Sequence, residues 1–191
     1  MRASAWFYVV IAICSAADAA PLGAPTAVEV AVQRIRQDGA TSFEIRASVF
    51  THAAPERVWR LLTNYEQQPD YVPNLDTAHV RARSGNEVIL EQAGRGGFFF
   101  FQRQIHLQVR VTERAPNNIE VALISGDMKR YSAHWQLTPA GQNAGDGTRI
   151  DYDSNLEPDF FVPPLIGSAI VKADVRRMLS AVVEQLEKNS L

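Results

Sequence analysis

A single cysteine, Cys14, occurs in the 191 residues. It closes an apolar run, Ala5 to Cys14 (AWFYVVIAIC), which follows Arg2 and precedes the small residues Ser15-Ala16-Ala17-Asp18-Ala19-Ala20. That order is expected of a secretory leader cleaved after Ala19, with Ala17 and Ala19 at the small-residue positions. The run is about half the ~20 apolar residues that a spanning helix needs, so removal is expected and no stable membrane insertion afterwards. Ile13 argues against lipidation of Cys14, because a small residue normally precedes a lipid-anchored cysteine. The exported remainder, about 170 residues, then has neither disulfides nor a thiol nucleophile. Its stability must come from one buried core, for which that length suffices.

Excess charge is also lacking. The chain has 19 Lys+Arg and 21 Asp+Glu; removing Arg2 and Asp18 with residues 1–19 leaves 18 against 20 and a net charge of −2. That balance offers no basic surface for nucleic acid and suggests no anionic membrane as partner. Catalytic and metal signatures are missing as well. His52, His79, His106 and His134 are scattered without metal-ligand spacing. Gly94-Arg95-Gly96-Gly97 leads into a strand and is a poor phosphate cradle. Asp151-Tyr152-Asp153-Ser154-Asn155 starts like a calcium loop, but Leu156 stands at the glycine position and Val162 at the twelfth. Gly167-Ser168 lacks the second glycine of a nucleophile elbow. No cofactor and no metal are implied.

What is present is a change of hydrophobic period along the chain. After a flexible lead, residues 20–27, Val28, Val30 and Val32 alternate up to Gln37-Asp38-Gly39-Ala40, an Asp-Gly hairpin turn. The partner strand, Phe43 to Phe50, puts Phe43, Ile45, Ala47 and Val49 on one face. Ala54 to Leu62 reads as a helix with Pro55 in its first turn and Val58, Leu61 and Leu62 as its apolar stripe. A second short helix or turn covers Tyr65 to Tyr71 and stops before Pro73. Six strands follow: Ala78–Arg83, Glu87–Ala93, Phe98–Glu113, Asn118–Asp127, Arg130–Thr138 and Thr148–Glu157. The breaks between them, Gly94 to Gly97 and Met128-Lys129 among them, are short, which predicts an antiparallel meander. Pro163 to Glu187 reads as one long helix with Ile166, Ile170, Ala173, Met178, Val182 and Leu186 at near-helical spacing. The predicted class is α+β: a sheet of seven or eight antiparallel strands with this helix across it, a single domain over residues 28–191. A twisted sheet touches a straight helix along only part of its length, so a cavity is expected between them.

The order of elements resembles the helix-grip fold of the START-like, or SRPBCC, superfamily. The stretch Thr51-His52-Ala53-Ala54-Pro55-Glu56-Arg57-Val58-Trp59-Arg60-Leu61-Leu62-Thr63-Asn64-Tyr65-Glu66, with Tyr71-Val72-Pro73-Asn74-Leu75, is similar to the opening of its polyketide cyclase/dehydrase and coenzyme Q-binding branch. Gly126-Asp127-Met128-Lys129-Arg130-Tyr131-Ser132-Ala133-His134-Trp135-Gln136-Leu137 resembles that branch's hairpin. Asn64 and Ala133 depart from the Asp and Gly common at those positions. The resemblance implies a hydrophobic ligand, a lipid, quinone or aromatic polyketide-like compound, and leaves its identity open.

Strand parity supplies candidate ligand contacts. Phe99, Phe101, Arg103, Ile105, Leu107, Val109 and Val111 share one face, and Arg103 is the lone charge on it. An unpaired buried guanidinium is costly, so Arg103 must pair with a carboxylate, reach the rim or meet a ligand. Tyr152 shares a face with Ile150 and Leu156, Tyr131 flanks the turn at Asp127, and Ile166 and Ile170 belong to the helix stripe. Trp59 and Trp135 read as core anchors. Three functions are compatible with these residues. The first is an exported carrier of a hydrophobic molecule. The second is a cyclase- or dehydratase-like enzyme using Arg103 with Tyr152 or His106, and the third a protein-interaction module. Oligomeric state is not encoded in any pattern found.

Overall fold

The computed structural model describes residues 27–37, 39–96, 103–141, 146–162 and 166–188. The expected leader, Phe99 and Phe101 lie outside the described residues.

Strands β1 (Glu29–Gln37) and β2 (Ala40–Thr51) form the first hairpin. Gly39, with φ 81°, supplies the left-handed conformation at its turn. Phe43, Ile45, Ala47 and Val49 are all buried, as their alternation predicts. Helix α1 (Pro55–Leu62) follows, with Val58 and Leu62 buried. A short 3-10 helix, Tyr65–Asp70, then carries the chain to the far edge of the sheet. From there β3 (Leu75–Ser84), β4 (Glu87–Gly96), β5 (Arg103–Arg114), β6 (Asn118–Gly126), β7 (Met128–Pro139) and β8 (Thr148–Pro158) meander back until β8 pairs with β2. The result is one antiparallel sheet in the order β1-β2-β8-β7-β6-β5-β4-β3.

Helix α2 (Gly167–Lys188) lies on the face to which these buried residues point and packs over β1 and β2. Its buried stripe is Val175, Leu179, Val182 and Leu186. Each such side chain contributes about 1.5–3 kcal/mol when fully buried. Val182 and Leu186 belong to the predicted stripe, whereas Val175 and Leu179 do not, and of the other predicted members Ile166 is 38% exposed and Ile170 only half-buried. The expected start at Pro163 lies outside the described residues; at Gly167, the first residue of α2, a Cβ would stand 2.6 Å from Val162 Cγ1 and 3.2 Å from the Phe43 ring.

Two glycines correct a second expectation. Gly94 and Gly96 belong to β4 instead of a turn, because Gly94 lies opposite Leu75 and a Cβ there would be 2.3 Å from the Asn74 carbonyl. Asn74, at φ 66°, bends the chain into that close approach, so β3 begins three residues earlier than its alternation suggests. The β6–β7 turn is likewise tighter than expected, with Met128 already in strand.

The C-terminal end of α2 is tied to the end of β2. The Thr51 hydroxyl donates to Glu187 Oε1 at 2.8 Å, and the His52 amide donates to the same oxygen at 3.1 Å. Arg57 donates to the Leu186 carbonyl, one of the acceptors a helix end leaves open. Burial pulls the Glu187 carboxyl up. The Thr51 and His52 hydrogen bonds, with the nearby His52 and Arg57, outweigh that and leave it below the ordinary glutamate range. A depressed carboxyl contributes stability above its unfolded pKa and loses it as pH falls through the folded one. Glu187→Gln should therefore lower the melting temperature at pH 7 and flatten its acid limb below about pH 4.5, measured by thermal melts across pH.

Candidate functional site

Between the sheet and α2 lies a cavity of about 210 Å³. Its floor comes from the inward faces of four adjacent strands: Leu90 and Gln92 of β4, Val109 and Val111 of β5, Ile119 and Val121 of β6, and Tyr131 and Trp135 of β7. Met178 and Val182 of α2 form the roof. Leu62 and the segment around the 3-10 helix, namely Tyr65, Gln68, Tyr71, Val72 and Leu75, close one side. Among the described residues no charged side chain lines it.

The polar groups in this wall are largely committed to the protein. The Tyr65 hydroxyl donates to Glu113 Oε1 at 2.7 Å, and Arg83 grips both oxygens of Glu113 at 3.1 and 3.0 Å from outside. Gln68 donates to the Leu62 carbonyl at 3.0 Å, Gln92 donates to Gln68 Oε1 at 3.5 Å, and the Tyr71 hydroxyl donates to the Leu61 carbonyl at 3.3 Å. Burial, with the Glu113 hydrogen bond, pushes the Tyr65 phenol well above its usual range, and burial alone does so for Tyr71. Tyr131 is raised first by burial and then by Tyr152, whose hydroxyl it meets. Tyr152 itself is raised by burial. Every phenol facing or backing the cavity is thus a neutral hydroxyl at ordinary pH, able to hydrogen-bond but not to take up a proton.

The structure brings together some of the residues that parity singled out. Tyr131 is in the wall, and Tyr152 lies behind it, its ring 4.6 Å from that of Trp135. Leu107 packs against the core without lining the cavity, and neither Ile166 nor Ile170 lines it. Arg103 is exposed, with its guanidinium 5.1 Å from the centroid of the Phe160 ring. Its side chain is open to solvent. It sits at the first described residue of β5, well before Val109 and Val111, where the cavity begins. His106 is also outside, beside Asp127, whose carboxyl is held low chiefly by the His106 backbone amide at 2.8 Å. Trp135, expected as a core anchor, is both packed on the core and part of the wall.

Sequence reasoning missed Tyr65, Gln68, Tyr71 and Gln92. A signal existed for Gln92, which continues the Val88 and Leu90 parity of β4. None existed for the others, which sit on, or in the case of Tyr71 just after, a 3-10 helix of irregular period. Among the described residues no group of three or more His, Cys, Asp or Glu could hold a metal ion.

A family model described as polyketide cyclase/dehydrase and lipid transport matches residues 51–183. The chain belongs to that family. The match covers α1, the 3-10 helix, β3 to β8 and most of α2, and so the whole cavity wall. Solved structures similar to this polyketide cyclase/dehydrase family chain share its fold at low identity. A START superfamily protein from Mycobacterium smegmatis is 17% identical with a TM-score of 0.63, covering 76% of this chain and 97% of that one. The Zhui aromatase/cyclase from Streptomyces sp. R1128 is 12% identical with a TM-score of 0.66, covering 78% and 96%. A STAR-related lipid transfer protein from Xanthomonas axonopodis is 15% identical with a TM-score of 0.60, covering 82% and 98%. No curated protein matches the sequence. These likenesses show the helix-grip, START-like fold.

Because Glu113 is held by Tyr65 and Arg83 together, Tyr65→Phe removes one of its two partners. It should cost about 1–2 kcal/mol of stability. Chemical denaturation of the two proteins side by side checks this.

Proposed function

We propose that this member of the family is an exported carrier that encloses one compact, uncharged, largely apolar molecule between the sheet and α2. The observation that carries the reading is the wall, which is apolar and aromatic with two amides and several neutral hydroxyls and no charge. A carboxylate or phosphate moved into it would lose hydration without gaining a partner, a cost that pushes such groups to neutralise or stay out. The nearest carboxylate, Glu113, is already saturated by Tyr65 and Arg83.

Size narrows the class. A cavity of about 150 Å³ holds a benzene ring, and common small-molecule sites span roughly 300–1,000 Å³. At about 210 Å³ the space suits one or two fused rings, or the head of a larger molecule whose tail leaves the cavity. A quinone head or a small aromatic polyketide-like compound meets both criteria. Carbonyl or hydroxyl oxygens on it would find Gln92 and Gln68.

Export rests on the leader-like opening of the sequence. It suits a carrier, since a water-insoluble compound needs a shell to cross an aqueous compartment. Among the described residues no helix is long and apolar enough to cross a membrane. The enzyme reading is weaker. None of its suggested groups, Arg103, His106 and Tyr152, lines the wall, and no wall side chain titrates near neutral pH.

Native mass spectrometry of the protein purified from its exported compartment, followed by solvent extraction, tests the reading. A stoichiometric neutral compound is expected. Val121→Phe, which fills the cavity floor, should stay folded and lose that mass. An empty protein that converts an added aromatic polyketide would replace the carrier by the enzyme.

A further inference from the structure

The end of the sheet where β8 hands over to α2 carries an unusual pair of features. Phe161 is 80% exposed, the most exposed large apolar side chain among the described residues. Around it, Arg36 from the end of β1, Lys129 and Arg130 from the start of β7, and Arg103 from the start of β5 are all exposed. Arg36, Lys129, Glu157, Asp159, Phe160 and Phe161 border one open hollow of about 590 Å³, and the Arg103 guanidinium lies over the Phe160 ring.

The carboxylates of the same region offset part of this charge. Glu157 is 7% exposed and gripped by Arg130. Asp159 faces Lys129 at 3.7 Å, and Asp127 accepts the His106 amide. What remains is an exposed aromatic ring beside Arg36 and Arg103, the two of these cations that no salt bridge among the described residues holds. In a chain of net charge −2 that concentration is a local feature and not the background.

We propose that this end of the molecule docks on an anionic lipid bilayer, with Phe161 entering the interfacial layer and the four cations resting on phosphate headgroups. Aromatic rings are favoured at the headgroup level, and basic side chains beside an anionic leaflet each add about fivefold to binding. One ring with few cations gives reversible attachment, unlike a spanning helix. Single-stranded nucleic acid, the other polymer that takes aromatic and cationic groups, needs a continuous basic groove with several stacking rings. Here Asp159, itself 61% exposed, interrupts the cations, and one ring projects. The inference concerns where the protein attaches and does not depend on what the cavity holds.

Flotation of the mature chain with vesicles tests it. The protein should float with phosphatidylcholine vesicles containing about 30% phosphatidylglycerol, remain behind with pure phosphatidylcholine, and release at about 1 M salt, where screening collapses to a few ångströms. Phe161→Ser should weaken partitioning about tenfold, and the double variant Arg36→Gln with Lys129→Gln more than tenfold. Both side-chain sets are exposed, so melting temperature and any co-purified cavity compound should be unchanged, which separates this test from that of the carrier reading. Failure of the wild-type protein to float, wild-type flotation by Phe161→Ser, or salt-sensitive binding to single-stranded DNA with none to vesicles would each overturn the proposal.

Discussion

The apolar stripe of α2 has to be buried, and a twisted sheet can meet a straight helix only along part of it. Leu179 and Leu186 are buried almost completely where the two touch, while Met178 and Val182 roof a space where they do not. The cavity is thus the geometric remainder of the contact that holds the fold together. Fixing the far end of the helix through Thr51, His52 and Arg57 sets how that remainder is shaped.

Charge is sorted around this remainder. The wall is neutral, and the one carboxylate close to it, Glu113, is turned outward to Arg83 and capped by Tyr65. The other ion pairs, such as Arg81 with Glu91 and Arg114 with Glu120, involve exposed side chains and are individually worth little. The cations around Phe161 give one end of the molecule a different surface from the rest. The proposed carrier, with a neutral interior and one basic, aromatic end, would have the parts needed to meet an apolar compound at a membrane and hold it away from water.

Much of the fold was legible because burial imposes a period. The alternation of Phe43, Ile45, Ala47 and Val49 identified β2 and its inner face, and Pro55 marked the start of α1. Parity fails where the question is how far along a strand the core reaches. Arg103 shares a face with Val109 and Val111, yet three alternations away it is already exposed. Glycine carries two meanings, and Gly94 was needed for close approach to Asn74 where a turn was expected. A 3.6-residue period admits neighbouring stripes, which is how Ile166 and Ile170 displaced Val175 and Leu179 in the reading of the helix. Net charge is an average, so −2 concealed the cationic end near Phe161 altogether.

The neutrality of the wall is the central claim, and calorimetric titration with a matched pair of ring compounds measures it directly. 2-Naphthol and 2-naphthoate have nearly the same shape and differ in charge at neutral pH. Naphthol is expected to bind at least about tenfold more tightly, because the carboxylate must be desolvated against a surface that offers it no cation. Equal or tighter binding of naphthoate, abolished by Val121→Phe, would show that a cation reaches the cavity and would contradict the account.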